Sequence, residues 1–257
     1  MYIVSVENKG IHIDFKNNAI IVDKLPSMFN STMWGWTTPD NHQGDNFDCW
    51  AFATVASLET SLLKSTGVAY NLSQNYVQKM QLKYSLNGDL RISLTGFDYS
   101  GLGHALSWYG PLMADARYDD RGIVADEDLS TSRIHLQDAL FISAGKNDTM
   151  ESIKRAILKY GAVSVHKLIS KSTYPLNTTG ENVSVMDHEI HFVSLIGWDD
   201  GYDKDLNVTG YWIAKDSTGG YVKYLITTHC CSILTVLQLF FRMWQSHISL
   251  KITSIIM

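Results

Sequence analysis

Cysteine is scarce in this chain of 257 residues. Only Cys49, Cys230 and Cys231 are present, and disulfide geometry would strain the peptide between the adjacent pair. The odd count excludes a secreted scaffold held together by disulfides. Three cysteines also cannot supply the four ligands of an all-cysteine zinc site. Long apolar runs are missing as well. No stretch of 18 apolar residues occurs, so the sequence predicts no membrane-spanning helix.

Acidic residues are absent from the end of the chain. All 26 lie at or before Asp216, and Lys223, Arg242 and Lys251 are the only charged residues after it. The formal net charge of −5 therefore combines an acidic segment with a short basic one. Neither segment provides the clustered basic face that nucleic acid requires, so the sequence argues against a nucleic-acid partner.

The N-terminus lacks a recognisable export signal. Residues 1–10 do not contain a basic segment followed by an apolar one, which is the pattern of a signal peptide. Acceptor sequons for N-glycosylation nevertheless begin at Asn30, Asn71, Asn147, Asn177, Asn182 and Asn207. An Asn-rich chain also produces such sequons by chance, but they mark surface loops in exported proteins. We take them as an indication of an extracellular or cell-surface protein.

Helical periodicity dominates the first half of the chain. Residues 1–24 alternate apolar and polar side chains and predict one or two short strands. A helix is then predicted from Asp48, as its cap, to Gly67, with an apolar stripe from Ala51 to Leu63. Ser73 is predicted to cap a second helix that continues to about Lys83.

The second half has the periodicity of strands. After an amphipathic helix that starts at residue 148 or 149 and closes at Gly161, the apolar period changes from 3.6 to 2. Strands are predicted over residues 162–168, 190–198, 208–215 and 221–226. Helices followed by strands, without alternation between them, indicate a segregated α+β fold.

Cys49 lies where a polar loop becomes the first turn of the long predicted helix. Unsatisfied backbone N–H groups and the helix dipole stabilise a thiolate at such a position, and the thiolate is the nucleophilic form of cysteine. The alternative is a small buried side chain, because most free cysteines lie in cores. Position alone does not decide between the two.

The residues around Cys49 resemble those of the papain-like cysteine peptidases. Gln43-Gly44 stands six residues before the run Cys49-Trp50-Ala51-Phe52, which is similar to the nucleophile segment of that family. The resemblance implies an α+β papain-like fold, in which a helical half with its central helix starting at the nucleophile packs against a β-sheet or barrel half. It also implies that the Gln43 side chain and the Cys49 backbone N–H bind the oxyanion in the cleft between the halves.

The family pairs its cysteine with a distant histidine that opens a buried strand. His191 stands 142 residues after Cys49, and the strand that follows ends in Gly197-Trp198, as in the family pattern. His188, preceded by Asp187, is the competing candidate. The fixed distance to Gly197 favours His191. The string from His188 to His191 lacks the His-Glu-x-x-His spacing of a zinc site, so no metal is predicted.

A third residue should orient the histidine. The family uses an asparagine followed by serine, tryptophan and glycine, and this chain has Asp216-Ser217-Thr218-Gly219. Asp216 therefore takes the asparagine position, and Thr218 replaces the tryptophan that shields the hydrogen bond in the family. A carboxylate can accept from an imidazole N–H as other nucleophile–histidine pairs show. The alternative is a solvated carboxylate at the end of a strand.

The resemblance implies further features of the site. Substrate contacts fall on Trp50, Gly96, Gly101 and Ile190, and the segment Gly96–Gly103 resembles the glycine-rich wall that binds the substrate backbone as an extra strand. Phe47 and Asp48 depart from the family pattern, since Phe47 can crowd the loop and Asp48 places a carboxylate beside the nucleophile. Both departures allow for impaired activity.

The sequence predicts four segments. They are residues 1–24, an N-terminal segment that is a possible remnant of a pro-segment; 25–125, the helical half; 126–226, the β half; and 227–257, an apolar tail without Gly, Pro, Asp or Glu. Two explanations of the tail stay open, a replaced native end after a frameshift or a genuine apolar element that packs on the β half or on a partner.

The predicted function is a monomeric cysteine endopeptidase that acts on peptide or protein substrates and needs no cofactor. Two alternatives remain. In the first, the domain has lost activity and serves as a binding or adhesion module of a surface protein. In the second, the same cysteine, histidine and aspartate transfer an acyl group to an amine, as in transglutaminases, although the motifs around their cysteine differ from those found in this chain.

Overall fold

The computed structural model describes residues 12–14, 19–21, 24–46, 48–78, 140–142, 149–168, 176–177, 190–204, 208–225 and 234–236. The predicted glycine-rich segment Gly96–Gly103 and the predicted helix beyond Gln78 lie outside this part of the chain. Among the described helices, none combines the length and the apolar character that a membrane span needs.

Two α-helices and one 3₁₀ helix have described bounds: the 3₁₀ helix Ser31–Trp34, α1 (Cys49–Thr66) and α2 (Thr149–Tyr160). Gly67 ends α1 in the left-handed conformation, with φ of 71°, as predicted. Ser73 accepts a hydrogen bond from the Tyr76 N–H at 3.1 Å, and residues 74–78 are helical. The predicted cap at Ser73 is therefore confirmed.

The cap predicted at the start of α1 is wrong in its detail. Asp48 is the residue before the helix, but its carboxylate makes no hydrogen bond to the first turn. The backbone of Asp48 has φ of −109° and ψ of 22°, outside the extended region from which a capping side chain reaches forward. Its carbonyl instead accepts from the N–H of Ala51 at 2.8 Å, which tightens the first turn.

Four of the described strands begin within one residue of the predicted strands of the second half, and the strands at residues 28–30, 140–142, 176–177 and 234–236 were not predicted. The described strands are β1 (His12–Asp14), β2 (Ala19–Ile21), β3 (Met28–Asn30), β4 (Leu140–Ile142), β5 (Val163–Leu168), β6 (Leu176–Asn177), β7 (Ile190–Asp203), β8 (Val208–Asp216), β9 (Gly220–Leu225) and β10 (Leu234–Val236). β7 continues past its predicted end at Trp198, because register shifts near Asp199 let it stay paired with β8.

The strands form a two-stranded and an eight-stranded sheet. β1 pairs with β2, and the larger sheet has the order β4-β10-β5-β7-β8-β9-β6, with β3 paired to β7 off this path. β10 lies within the predicted apolar tail, and its residues Leu234 and Thr235 pair with β5. β5, β7, β8 and β9 are consecutive antiparallel neighbours. The sheet thus carries the start of β7 beside the end of β8.

β3 approaches β7 at a glycine. Asn30 pairs with Gly197, and a Cβ atom at Gly197 would lie 2.2 Å from the Phe29 carbonyl oxygen. Any larger residue would push the two strands apart, because real Cβ atoms do not come so close to backbone oxygen. This contact gives a physical reason for the glycine in the Gly197-Trp198 pattern noted in the sequence.

Two clusters of buried apolar side chains form the core of the described part of the chain. One joins α2 to the sheet and includes Phe29, Ile157, Trp198 and Trp212. The other surrounds α1 and includes Leu58, Leu62, Leu72 and Phe192. α1 is buried on all sides from Cys49 to Leu62, because the sheet packs on one face and residues 72–77 on another. The helix therefore holds its N-terminus firmly inside the protein.

Candidate active site

Three elements place Cys49, His191 and Asp216 together. Cys49 is the first residue of α1, His191 the second residue of β7, and Asp216 the last residue of β8. Ser194 pairs with Lys215 across β7 and β8, so the antiparallel register places the start of β7 level with the end of β8. All three side chains lie in the interior; Asp216 is 1% exposed, His191 8% and Cys49 9%.

The His191 ring is held from both sides. Its Nε2 lies 3.0 Å from Asp216 Oδ1 and 3.1 Å from Oδ2, and the ring also hydrogen-bonds the side chain of Cys49. Because Nε2 is engaged by the carboxylate, Nδ1 is the ring nitrogen left for the thiol. The geometry therefore connects thiol, imidazole and carboxylate in one line of hydrogen bonds.

Electrostatics favour the charged form of His191. Burial alone would lower the pKa of the ring, but the Asp216 carboxylate, its hydrogen bond and the contact with Cys49 outweigh burial and raise the pKa to about 10. His191 therefore stays an imidazolium at neutral pH. A cation in contact with a thiol favours the thiolate over the neutral form.

Gln43 is held by hydrogen bonds to Ser217, the residue after Asp216. The Gln43 N–H donates to the Ser217 carbonyl at 2.9 Å, and the Ser217 hydroxyl donates to Gln43 Oε1. Gln43 Nε2 in turn donates to the Asn46 carbonyl, in the loop that leads to Cys49. A primary amide carries two hydrogens on nitrogen, so one N–H serves the loop and the second is left for another acceptor.

A buried polar cluster lies behind the site. Lys215 Nζ donates to the Thr38 hydroxyl at 3.0 Å and to the Pro39 carbonyl at 2.8 Å. The Thr38 hydroxyl donates to Glu59 Oε2 at 2.5 Å, and Glu59 Oε1 accepts from the Leu72 N–H at 2.7 Å. Burial raises the pKa of Glu59 and lowers that of Lys215, and each group opposes the shift of the other. Thr38 thus links two opposite charges inside the protein.

This cluster leads to a prediction about stability. We expect Lys215→Met to lower the free energy of unfolding by about 3–5 kcal/mol, because it removes one partner of a buried charge pair and leaves the Glu59 carboxylate uncompensated. Urea unfolding followed by circular dichroism measures the change. The control is Arg155→Met, which breaks an exposed i,i+4 pair with Glu151 and should cost less than about 1 kcal/mol. Equal losses in both variants would contradict the prediction.

Several of these residues were not singled out in the sequence. Glu59 is the one acid in α1 and lies among apolar and small residues, and Lys215 follows an apolar run near the end of β8; both positions are signals of a buried charge. Ser217 gives no signal of its own, and the sequence marks Thr218 only as the residue that replaces the family's tryptophan. Thr218 donates to Asp216 Oδ1 from its N–H and from its hydroxyl, each at 2.8 Å.

The predicted substrate contacts are placed less completely. The Trp50 side chain is 2% exposed and packs in the cluster around α1, so little of it is open to a ligand. Ile190 begins β7 and pairs with Leu168 through the backbone. Gly96, Gly101, the competing His188 and Phe47 lie outside the described residues. The substrate contacts therefore stay predictions.

Known proteins are similar to this chain over most of its length. A family model described as papain family cysteine protease matches residues 25–236. Cathepsin 7 of Rattus norvegicus is 26% identical over 224 residues, covering 83% of this chain and 63% of the relative. Cathepsin K of Mus musculus is 25% identical over 205 residues, covering 76% of this chain and 56% of the relative. The chain thus spans less than two thirds of the length of these relatives.

Solved structures show the same fold at low sequence identity. The cysteine protease and lectin-like domains of Cwp84, a surface layer associated protein of Clostridium difficile, superpose with a TM-score of 0.67 at 21% identity, covering 85% of this chain and 53% of that one. Digestive procathepsin L 3 of Tenebrio molitor superposes with a TM-score of 0.63 at 20% identity, covering 84% of this chain and 71% of that one. At these identities the likeness establishes the α+β papain-like architecture.

Proposed function

Because the chain belongs to the papain family of cysteine proteases, we propose that it is an active cysteine endopeptidase that hydrolyses peptide bonds through an acyl-enzyme. The observation that carries the proposal is the line of contacts from Cys49 through His191 to Asp216 at the head of α1. This order of contacts supports roles for Cys49 as nucleophile, His191 as acid–base group and Asp216 as orienting group.

Acylation follows from the charges in the site. The Cys49 thiolate attacks the carbonyl carbon of the scissile peptide and forms a tetrahedral intermediate. His191, charged at neutral pH, gives its proton to the nitrogen of the leaving amine, and the C–N bond breaks to leave a thioester. Asp216 keeps the ring in place and stabilises its charge before this transfer.

Deacylation runs through the same groups in reverse roles. Neutral His191 removes a proton from a water molecule, and the resulting hydroxide attacks the thioester carbonyl. The second tetrahedral intermediate expels the Cys49 thiolate and releases the carboxylic acid product. The imidazolium is thereby restored next to the thiolate, and no metal or cofactor takes part in this scheme.

Oxyanion stabilisation is assigned to Gln43 and to the Cys49 backbone N–H. The Cys49 N–H stands at the N-terminal end of α1, whose dipole also favours a developing negative charge, and the Gln43 amide bonds to the loop that leads into this helix. The hydrogen bonds from Ser217 and to Asn46 fix the Gln43 amide in advance. Donors that need no reorganisation during the reaction give the largest stabilisation of the transition state.

The role of Gln43 is tested by Gln43→Ala. We expect kcat for a peptide substrate to fall by about 10²–10³-fold, which is the usual cost of one oxyanion donor, with a change of less than threefold in the rate of Cys49 alkylation by iodoacetamide. Alkylation forms no oxyanion, so it serves as the internal control. An unchanged kcat, or a parallel loss of alkylation, would remove Gln43 from this role.

The proposal also covers the substrate class and the cellular location. Peptides or proteins would bind to the monomer in the cleft that opens at Cys49. The sequons, together with the description of Cwp84 as a surface layer associated protein, support action outside the cell or at its surface.

A second function is supported by one specific observation. Asp48 is fully buried directly before Cys49, and a carboxylate at that position disfavours a neighbouring thiolate. In this alternative the domain is a non-catalytic binding module of a surface protein. Iodoacetamide distinguishes the two: selective labelling of Cys49 near neutral pH supports the peptidase, and labelling no faster than that of free cysteine supports the binding module.

A further inference from the structure

Thr218 makes direct contact with the carboxylate that orients His191. It lies in the turn after β8, where its N–H and its hydroxyl both donate to Asp216 Oδ1 at 2.8 Å. Thr218 is half-buried and Asp216 is 1% exposed. Hydrogen bonds to a charged and buried acceptor are among the strongest in proteins. The threonine therefore restrains the position of the carboxylate directly.

The donors around Asp216 suit a carboxylate better than an amide. The Thr218 N–H and hydroxyl approach Oδ1, and His191 Nε2 lies within 3.1 Å of both oxygens. A carboxylate accepts at both oxygens and has no hydrogens to direct against these groups. An asparagine would place its NH₂ either against Nε2–H or against the Thr218 N–H, and in each orientation two donors would face each other.

We propose that Thr218 is a positioning residue for the histidine–aspartate pair, and that Asp216 and Thr218 form one coupled unit. Thr218 holds the carboxylate so that both oxygens face His191, at the position where the family pattern has a shielding tryptophan. This inference rests on the proposed peptidase function for its kinetic consequence. Its structural content, the coupling of the two side chains, does not depend on peptide hydrolysis.

Other charged groups near Asp216 act on the same site. Asp40 lies within electrostatic reach of Asp216 and Lys215, and Lys215 is also influenced by Glu59. Of these groups, Lys215 bonds to Thr38 and Pro39. None of the described hydrogen bonds of Thr218 involves them. Removal of the Thr218 hydroxyl therefore changes the restraint on Asp216 while leaving the charges unaltered.

The coupling is measured with four variants, Thr218→Val, Thr218→Ser, Asp216→Asn and the Asp216→Asn/Thr218→Val pair. We expect Thr218→Val to lower both the rate of Cys49 alkylation at pH 7 and kcat/KM by about tenfold, as for loss of one hydrogen bond to a charged group. Thr218→Ser, which keeps the hydroxyl, should stay within twofold of the parent. Asp216→Asn should lose at least tenfold, and the second change should add less than twofold to it.

The pH profile separates positioning from general stability. The rate of Cys49 alkylation should be independent of pH over a plateau. In Thr218→Val this plateau should end at a lower pH than in the parent, because a displaced carboxylate stabilises the imidazolium less. The matched control is Thr37→Val, which removes a part-buried hydroxyl that bonds Tyr221 outside the site; it should leave the profile unchanged. Thermal unfolding of each variant identifies losses that come from misfolding.

Opposite outcomes would overturn the inference. A parent-like profile in Thr218→Val, a loss in Thr218→Ser as large as in Thr218→Val, or additive effects in the pair would each show that the hydroxyl does not position Asp216. If no variant and no parent protein cleaves peptides, the proposed function fails. The alkylation profiles still report the coupling in that case, so the two failures are distinguishable.

Discussion

Replacing Cys49 by alanine is expected to abolish peptide hydrolysis, with a loss of about 10⁴–10⁶-fold in kcat/KM. The size follows from the removal of the nucleophile of a group that acts as a unit, since the remaining oxyanion donors retain only a small part of the catalysis. Steady-state cleavage of a generic peptide measures the loss. An irreversible epoxide-type thiol inhibitor provides a second measurement, since it should modify the parent protein and leave Cys49→Ala unmodified.

The other two cysteines provide the matched control. A Cys230→Ala/Cys231→Ala variant should keep its activity and its single labelling event, because the nucleophilic environment belongs to the head of α1. Mass spectrometry of the labelled protein locates the modified residue. Equal turnover of peptide by Cys49→Ala and by the parent protein would refute the peptidase assignment, whatever the labelling shows.

Replacing His191 by alanine should have the second largest effect, a loss of about 10³–10⁴-fold in kcat/KM. The variant loses the proton donor for the leaving amine and the cation that stabilises the thiolate. Alkylation of the parent protein should hold its plateau up to about pH 10, where the raised pKa of His191 is reached, and change above it. In His191→Ala the rate should instead rise with pH from a much lower value.

The sign of the pH effect can be checked on the folded protein. A raised pKa means that the charged ring stabilises the native state fully below its ordinary value of 6.5, and that this contribution is lost as pH rises through about 10. The stability difference between the parent and His191→Ala should therefore shrink as pH rises from about 6.5 to about 10 and be smallest above pH 10. Urea unfolding at pH 7 and at pH 10.5 measures it.

His188→Ala is the control for this prediction, since the sequence offers His188 as the competing histidine. It should keep turnover within a few-fold of the parent. If His188→Ala lost as much activity as His191→Ala, the choice between the two histidines would have to be reopened. If His191→Ala kept its activity while His188→Ala lost it, the proposed roles of His191 and Asp216 would be wrong.

The sequence predicts the local elements well, because their signals are local. The long helix after Cys49 ends at Gly67, as predicted, since glycine adopts the left-handed conformation at low cost. In the second half, β5, β7, β8 and β9 follow from their period of two, whereas the short strands β4, β6 and β10 were not predicted. The pairing of β3 with β7 could not be predicted, because its partners Phe29 and Trp198 are far apart in sequence and the short segment at residues 28–30 carries no period.

In the candidate site, too, the features with a sequence pattern of fixed spacing could be predicted and the others could not. Cys49, His191 and Asp216 were found because each stands in a sequence pattern with fixed spacing, and the structure brings all three together. The bonds from Ser217 to Gln43 and from Thr218 to Asp216 could not be predicted, since they depend on which way a tight turn directs small polar side chains. Asp48 shows the same limit: its residue type suits a cap, but its backbone angles do not.

The site should be more sensitive to a change in the length of β8 than to a change of residue type within that strand. Lys215, Asp216 and Ser217 are consecutive, and their side chains bond respectively to the Thr38–Pro39 segment, to the His191 ring and to Gln43. Neighbouring strand residues point to opposite faces, so inserting or deleting one residue within β8 would exchange the faces of Lys215 and Asp216 and misdirect these bonds together. Evolution can therefore vary the residue types in this strand far more freely than its length.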